Sequence, residues 1–422
     1  MSFILGPAYL CAIRDRDGIF GVEFLPQVEH CCEKLEEAHK LGKKFPQLTD
    51  IAPSLFLSAF HFADTRWGER FVIQSELLLQ NSENEYLLAF VVERRGKISP
   101  ALGQKDKGIE VLSEFVRNPR SISGDPTSSD PTKQAPNKLA NSMHGCVYTL
   151  LAHQLTNLGR EDEALDVLRS WKLFEPPSIS EKACARYRDR TMSDIYVARK
   201  DWAEAEVILR SLLSPDMQDA AEYSGSMGEG WTISQLAQIL SETGRHKEAS
   251  DLIIPAVVAR ENNGHEARED NIQIMLDLVS SLLAQGLPDL ALLHLMKLRD
   301  TLTPTAGLNE RTRRDTTNMW CLMARLSVTL GNWMEAKTCW EKALETAGGV
   351  NWSDGHIVGA IRFSMAYTLW KLEALDAASD LKYEASTIDL EKGRALSNTG
   401  MDKYWIERLL EARKELAAAG VV

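Results

Sequence analysis

The chain has 422 residues, 44% hydrophobic and 26% charged, an ordinary globular composition long enough for two or three domains or one extended array. A formal net charge of −12 argues against a nucleic-acid partner, because phosphate backbones select clustered Lys and Arg. Seven cysteines without a Cys-x-x-Cys pair read as reduced thiols, the N-terminus has no basic region before its short apolar run, and no stretch approaches the ~18 apolar residues of a membrane span. The expectation is a protein of the cytoplasm, or the nucleus, with no membrane association.

In chain order, Val22 to Leu41 is predicted helical, with Val28, Cys31, Cys32, Leu35 and Ala38 on one side. His30, Cys31, Cys32 and His39 have the chemistry of metal ligands but not the spacing. On one helix Cys31 and Cys32 diverge by ~100°, and His39 lies more than two turns beyond His30. No metal site is expected. Pro53 suits the first turn of a helix whose buried stripe would be Leu55, Phe56, Ala59, Phe60 and Ala63. His61 and Asp64 follow at i, i+3 and could orient an imidazole as a general base, although a hydrogen bond near the helix end at Gly68 is the better account of the pair. Glu69 to Leu79, Glu85 to Arg95 and Lys107 to Val116 are further amphipathic segments, and residues 1–117 form an N-terminal helical region. Residues 118–140 include Pro119, Pro126, Pro131 and Pro136 among polar residues, the composition of a flexible linker.

From residue 141 a pattern recurs. The clearest unit places Tyr148, Leu151, Ala152, Leu155, Gly159, Ala164, Leu168 and Pro176 in order. Unit starts near 145, 186, 230, 272, 317 and 359 are separated by 41, 44, 42, 45 and 42 residues. Gly159, Gly244, Gly286 and Gly331 are expected to end the first helix of their units in a left-handed turn, where the absence of a Cβ matters. The sixth unit has Glu373 at that position. The alanines, Ala164, Ala205, Ala249, Ala291, Ala336 and Ala378, would let paired helices approach closely. Trp340 is expected in the core, with Trp333 stacked in the loop. Between the third and fourth units, His265, Glu266 and Glu269 suit a solvated turn. The Arg186, Arg188, Arg190 and Arg311, Arg313, Arg314 runs suit solvated helical faces.

This spacing resembles the tetratricopeptide repeat over about 240 residues, with units longer than the usual ~34. The long period is similar to the arrays of kinesin light chains and of STAND-type NTPase sensors. No G-x-x-x-x-G-K-[ST] is present, so only the sensor or adaptor part of the latter is matched. The resemblance implies an all-α fold: a right-handed α-solenoid of TPR-like helical hairpins over residues 141–400, closed by a C-terminal capping helix in 401–422. It also implies that positions 2, 5, 9 and 12 of each first helix face a concave groove. Position 9 gives His153, Asp194, Gln238, Ser280, Arg325 and Tyr367. Position 5 gives Thr149, Arg190, Ser234, Leu276, Cys321 and Phe363, and position 2 adds Tyr187, Trp231, Gln273 and Asn318. The Lys/Asn clamp of chaperone-binding relatives is missing, since Thr149 and His153 stand where it would begin.

Aromatic and planar donor side chains at these positions suit a peptide or helix of another protein. The expected function is therefore a non-catalytic adaptor or scaffold, with no cofactor. No catalytic motif such as G-x-S-x-G, H-E-x-x-H or G-x-G-x-x-G occurs. The alternative is a protein of a small-molecule biosynthetic pathway, an enzyme or its accessory, with His153 facing Asp194, or His61 with Asp64, as acid and base.

Overall fold

A computed structural model describes residues 19–42, 48–118, 137–214, 227–262, 269–302, 310–348, 356–374 and 403–418. Among these the protein is all-helical, with seventeen helices and no strand. The chain divides into two compact units, Met1–Tyr196 with Ser211–Ser226, and Val197–Arg210 with Met227–Val422. Most of the 118–140 linker lies outside the described residues, and Lys138 already begins a helix.

In the first unit, five helices precede the recurring pattern: α1 (Ile19–Lys40), α2 (Ile51–Ala59), α3 (Thr65–Leu79), α4 (Glu85–Ala101) and α5 (Lys105–Arg117). Val28, Cys32 and Leu35 of α1 are buried against Phe56 and Phe71, whose rings stack 5.5 Å apart. Arg70 ties α3 to α1 by donating to both carboxylate oxygens of Glu36, at 2.9 and 2.8 Å. The single-stripe expectation for α2 needs correction. Leu55 is 44% exposed, whereas Leu57 is fully buried with Val72, Leu79, Leu87 and Phe90. The helix is covered from two sides, so its core residues do not form one stripe. Where α4 crosses α5, a Cβ on Gly96 would meet Leu112 at 2.7 Å, so the glycine sets the approach of the two helices.

The first hairpin follows, α6 (Lys138–Thr156) and α7 (Glu161–Ser170), then α8 (Ile179–Arg199). Ser178 and Glu181 form a capping box at the start of α8: the Glu181 carboxylate accepts from the Ser178 amide at 2.9 Å and the Ser178 hydroxyl at 2.8 Å. Glu181 also accepts from Asn141, whose Oδ1 in turn accepts from the Trp171 indole. That indole lies against Gly145, where a Cβ would come within 2.7 Å of the ring.

The second unit contains α9 (Trp202–Leu212, its last two residues excepted), α10 (Met227–Glu242), α11 (His246–Asn262), α12 (Glu269–Ala284), α13 (Pro288–Leu302), α14 (Glu310–Thr329), α15 (Trp333–Ala347), α16 (His356–Lys371) and α17 (Lys403–Ala418). From α10 to α16 each helix packs on the next, and α12 also packs on both α10 and α14. The turn that follows each first helix is the same throughout the chain. Gly159, Lys200, Gly244, Gly286, Gly331 and Glu373 all have φ between 62° and 78°. After five of them the following amide closes onto a carbonyl five residues back, as Arg160 does to Leu155 at 3.0 Å and Ala374 to Leu369 at 3.0 Å. Glu373 therefore takes the backbone that the glycines take elsewhere, and so does Lys200. Ala164, Ala205, Ala249, Ala291 and Ala336 are completely buried, while Ala378 lies outside the described residues.

Candidate functional site

Two polar seams run between successive first helices, one in each unit. In the first unit, His153 of α6 meets α8. Its Nε2 lies 3.3 Å from the Tyr187 hydroxyl and 3.3 Å from Thr191 Oγ1, and the His153 and Tyr187 rings are 5.9 Å apart. Burial lowers the His153 pKa; the nearby Asp194 raises it and Arg190 lowers it. Burial likewise lowers the Arg190 pKa, opposed by Asp194 and Tyr187. Four predicted groove residues, His153, Tyr187, Arg190 and Asp194, thus form one cluster, with Tyr187 50% exposed and the other three half-buried. Two turns back along α6, Cys146 Sγ lies 3.6 Å from Cys184 Sγ of α8. Thr149 faces its own helix, donating to the Gly145 carbonyl at 2.8 Å.

In the second unit the contacts between first helices are more deeply buried. Ser234 of α10 donates to Asp277 of α12, and Gln238 and Gln273 reach the same carboxylate at 3.3 and 3.4 Å. Arg325 of α14 donates to Ser280 of α12 at 3.3 Å. Trp231, Gln238 and Gln273 are half-buried, while Asn318, Arg325 and Tyr367 are buried, Arg325 with only 1% exposure. Cys321 is completely buried and its thiol is pushed up to about 12 by that burial. Leu276 and Phe363 are buried apolar residues. Tyr367 packs edge-on against Trp333 at 6.0 Å, and Trp340 is in the core as expected.

At Arg325 part of the cover comes from α17. Its Trp405, 1% exposed, donates from Nε1 to Ser364 Oγ of α16 at 3.1 Å. The same indole lies 5.5 Å from the Arg325 guanidinium and 6.0 Å from the Trp340 ring. Just before it in the chain, Lys403 donates to the Glu242 carbonyl at the end of α10, and Tyr404 meets His246 at the start of α11. Further along α17, Arg413 lies over Phe363 and Glu415 pairs with Lys371 at 3.1 Å. The C-terminal helix is thus in contact with the first helices at both ends of α10–α16, not with the last hairpin alone.

No protein-family model matches the chain, and no curated protein matches its sequence. The functional reading therefore rests on the geometry.

The second pair of acid/base candidates is not brought together. Asp64 caps α3 by accepting from the Trp67 amide at 2.9 Å, and His61 Nε2 faces Arg94 Nη2 at 2.8 Å. Cys32 is buried beside Glu36 and its thiol is raised to about 12, chiefly by burial, whereas His39 faces Gln74. Three positions in these contacts escape the register argument: Asp277, Thr191 and Ser364. Asp277 carried a signal, being the only charged residue between Ile272 and Leu283.

Proposed function

We propose that the chain is a non-catalytic adaptor, a solenoid of tetratricopeptide-like hairpins that holds a peptide or helix of another protein along the inner faces of its first helices. One observation carries the reading. In three places a groove-register residue of one first helix contacts the next first helix, His153 with Tyr187, Gln238 with Asp277, and Ser280 with Arg325. Such a row of planar donors and aromatic rings on rigid helices is the chemistry that reads a peptide backbone or carboxylate. The recurrence of one left-handed turn at 41- to 45-residue intervals, from Gly159 through Lys200, Gly244, Gly286 and Gly331 to Glu373, supports the repeat.

The test is capture by the tagged full chain and by a Tyr187→Ala/Arg190→Glu variant, with helicity checked by circular dichroism. The adaptor reading expects a partner that the native chain retains and the folded variant loses. Identical capture by both would sink it. A second reading, small-molecule chemistry, draws on the His153 imidazole, whose pKa burial lowers, beside the Tyr187 and Thr191 hydroxyls and near Asp194. It requires His153→Gln to abolish conversion of a substrate without altering partner capture.

A further inference from the structure

We infer that Cys146 and Cys184 form a redox site, a dithiol that a hydroperoxide oxidises to a disulfide joining α6 to α8. This chemistry is independent of the adaptor reading and goes beyond it. The two residues are 38 positions apart in the chain, yet their sulfurs lie 3.6 Å apart across facing helices. A disulfide holds its sulfurs at about 2.05 Å, so closure needs a movement of about 1.5 Å, within the reach of side-chain rotation. The Cys184 thiol donates to the Ser142 carbonyl of α6 at 3.0 Å, one helical turn before Cys146, which fixes its sulfur against that stretch of α6. The helices are tied on both sides of the pair. Asn141 donates to Glu181 at 2.6 Å before it, and His153 meets Tyr187 and Thr191 after it. Thiols held face to face in this way react as an intramolecular pair, with the entropy of encounter already lost in folding.

Exposure and charge set this pair apart. Both sulfur-bearing residues are partly exposed, so a small oxidant reaches them in the folded chain. Among the other described cysteines, Cys32, Cys321 and Cys339 are buried, and burial pushes their thiols up to about 12, about 12 and about 11. Thiols of that kind are inert, because the thiolate is the nucleophile. The Cys146 pKa is instead lowered, first by the hydrogen bond with Cys184. Burial and the Glu93 charge oppose this, while Lys97 and Arg94 assist it. All three charges come from α4, where the Glu93 carboxylate is itself paired with Arg94 at 2.9 Å and with Lys97.

Cys146 is therefore the attacking sulfur. Its thiolate takes one oxygen of the peroxide: the S–O bond forms, the O–O bond breaks, and the leaving hydroxide or alkoxide takes up the proton that the thiol released. The Cys184 sulfur then attacks the sulfenic sulfur. The S–S bond forms, the S–O bond breaks, and hydroxide leaves with the Cys184 proton as water. Two thiols give up two electrons and one hydroperoxide is reduced. The product bonds together the two helices that carry His153, two turns beyond Cys146, and Tyr187, one turn beyond Cys184.

The test treats the native full chain, and full-length Cys184→Ser and Cys146→Ser variants, with hydrogen peroxide before unfolding, alkylation and peptide mapping by mass spectrometry. The native chain should lose two hydrogens and yield a linked pair of peptides carrying Cys146 and Cys184, with Cys32, Cys321 and Cys339 still alkylated. Dithiothreitol should restore both thiols. Cys184→Ser should accumulate sulfenic acid at Cys146, trapped by dimedone, about tenfold or more above the yield at Cys184 in Cys146→Ser. If either variant fails to fold, the native-chain map decides the matter alone. Free Cys146 and Cys184 after the exposed Cys31 has been oxidised would overturn the site. A bond that joins two chains would overturn the pairing within one, and trapping at Cys184 in preference to Cys146 would overturn the assigned roles.

Discussion

The His153 seam and the Arg325 seam are built from the same register positions, yet one lies half in solvent and the other under a helix. Tyr187 is 50% exposed at the first, whereas Arg325 is 1% exposed at the second. The difference teaches that a repeat fixes which side chains meet but not whether a ligand can reach them. In the first unit the contacts are aromatic, hydroxyl and long-range charge. In the second they are a buried carboxylate and a guanidinium that an indole covers.

The comparison can be broken most sharply at the cover. Trp405→Ala should raise hydrogen exchange of the α17 amides by about a hundredfold or more, the loss of roughly 3 kcal/mol of packing expected for a buried tryptophan. Tyr187→Ala, at the exposed seam, should change stability by no more than about 0.5 kcal/mol in denaturant titrations. If the two substitutions cost the same, the seams are not differently covered.

The next effect belongs to the first unit alone. His144 is buried against Phe115, and its pKa is lowered by that burial from 6.5 to about 4. As pH falls, the unfolded chain therefore takes up the proton before the folded one. Stability from this group is complete above pH 6.5 and declines down to about pH 4, by about 3 kcal/mol in all. His144→Leu should flatten that segment of the stability profile measured by denaturant titration across the window.

Smaller again is Gly145→Ala, which drives a Cβ into the Trp171 ring. The buried indole is fixed by hydrogen bonds from its N–H to Asn141, so it cannot swing aside. A loss of about 1–3 kcal/mol is expected in thermal or denaturant unfolding. The smallest effect is a gain. Lys200 has a φ of 63° where four other units use glycine, so Lys200→Gly should stabilise by about 0.5 kcal/mol, the left-handed strain removed less the entropy glycine loses on folding. A loss instead would mean that the lysine side chain anchors the turn.

Sequence reasoning reaches local chemistry and stops at long-range cover. The turns at Gly159, Gly244, Gly286 and Gly331 were legible because left-handed backbone selects glycine, and the period alone exposed Glu373 as the sixth. Helical register put His153, Tyr187, Ser280 and Arg325 among the groove positions of their first helices, but did not tell which of them pair; the facing pair expected was His153 with Asp194. What could not be read was burial set by distant elements. Leu55 and Leu57 exchanged roles because α2 is covered from two sides, which one helix's periodicity does not encode. The Arg325 groove read as open because Trp405, far along the chain, has no signal that says which surface its stripe will cover. Asp277 was an acid in an apolar run, but its partner Ser234 lies on another hairpin.

The account's central claim is one register in two states, exposed in the first unit and covered by α17 in the second. Hydroxyl-radical footprinting of the native full chain, read residue by residue by mass spectrometry, tests it most directly. The account predicts that Tyr187 is oxidised readily while Trp405, Tyr367 and Phe363 are protected, and that Trp405→Ala exposes Phe363. Oxidation of Trp405 in the native chain as readily as Tyr187 would contradict it.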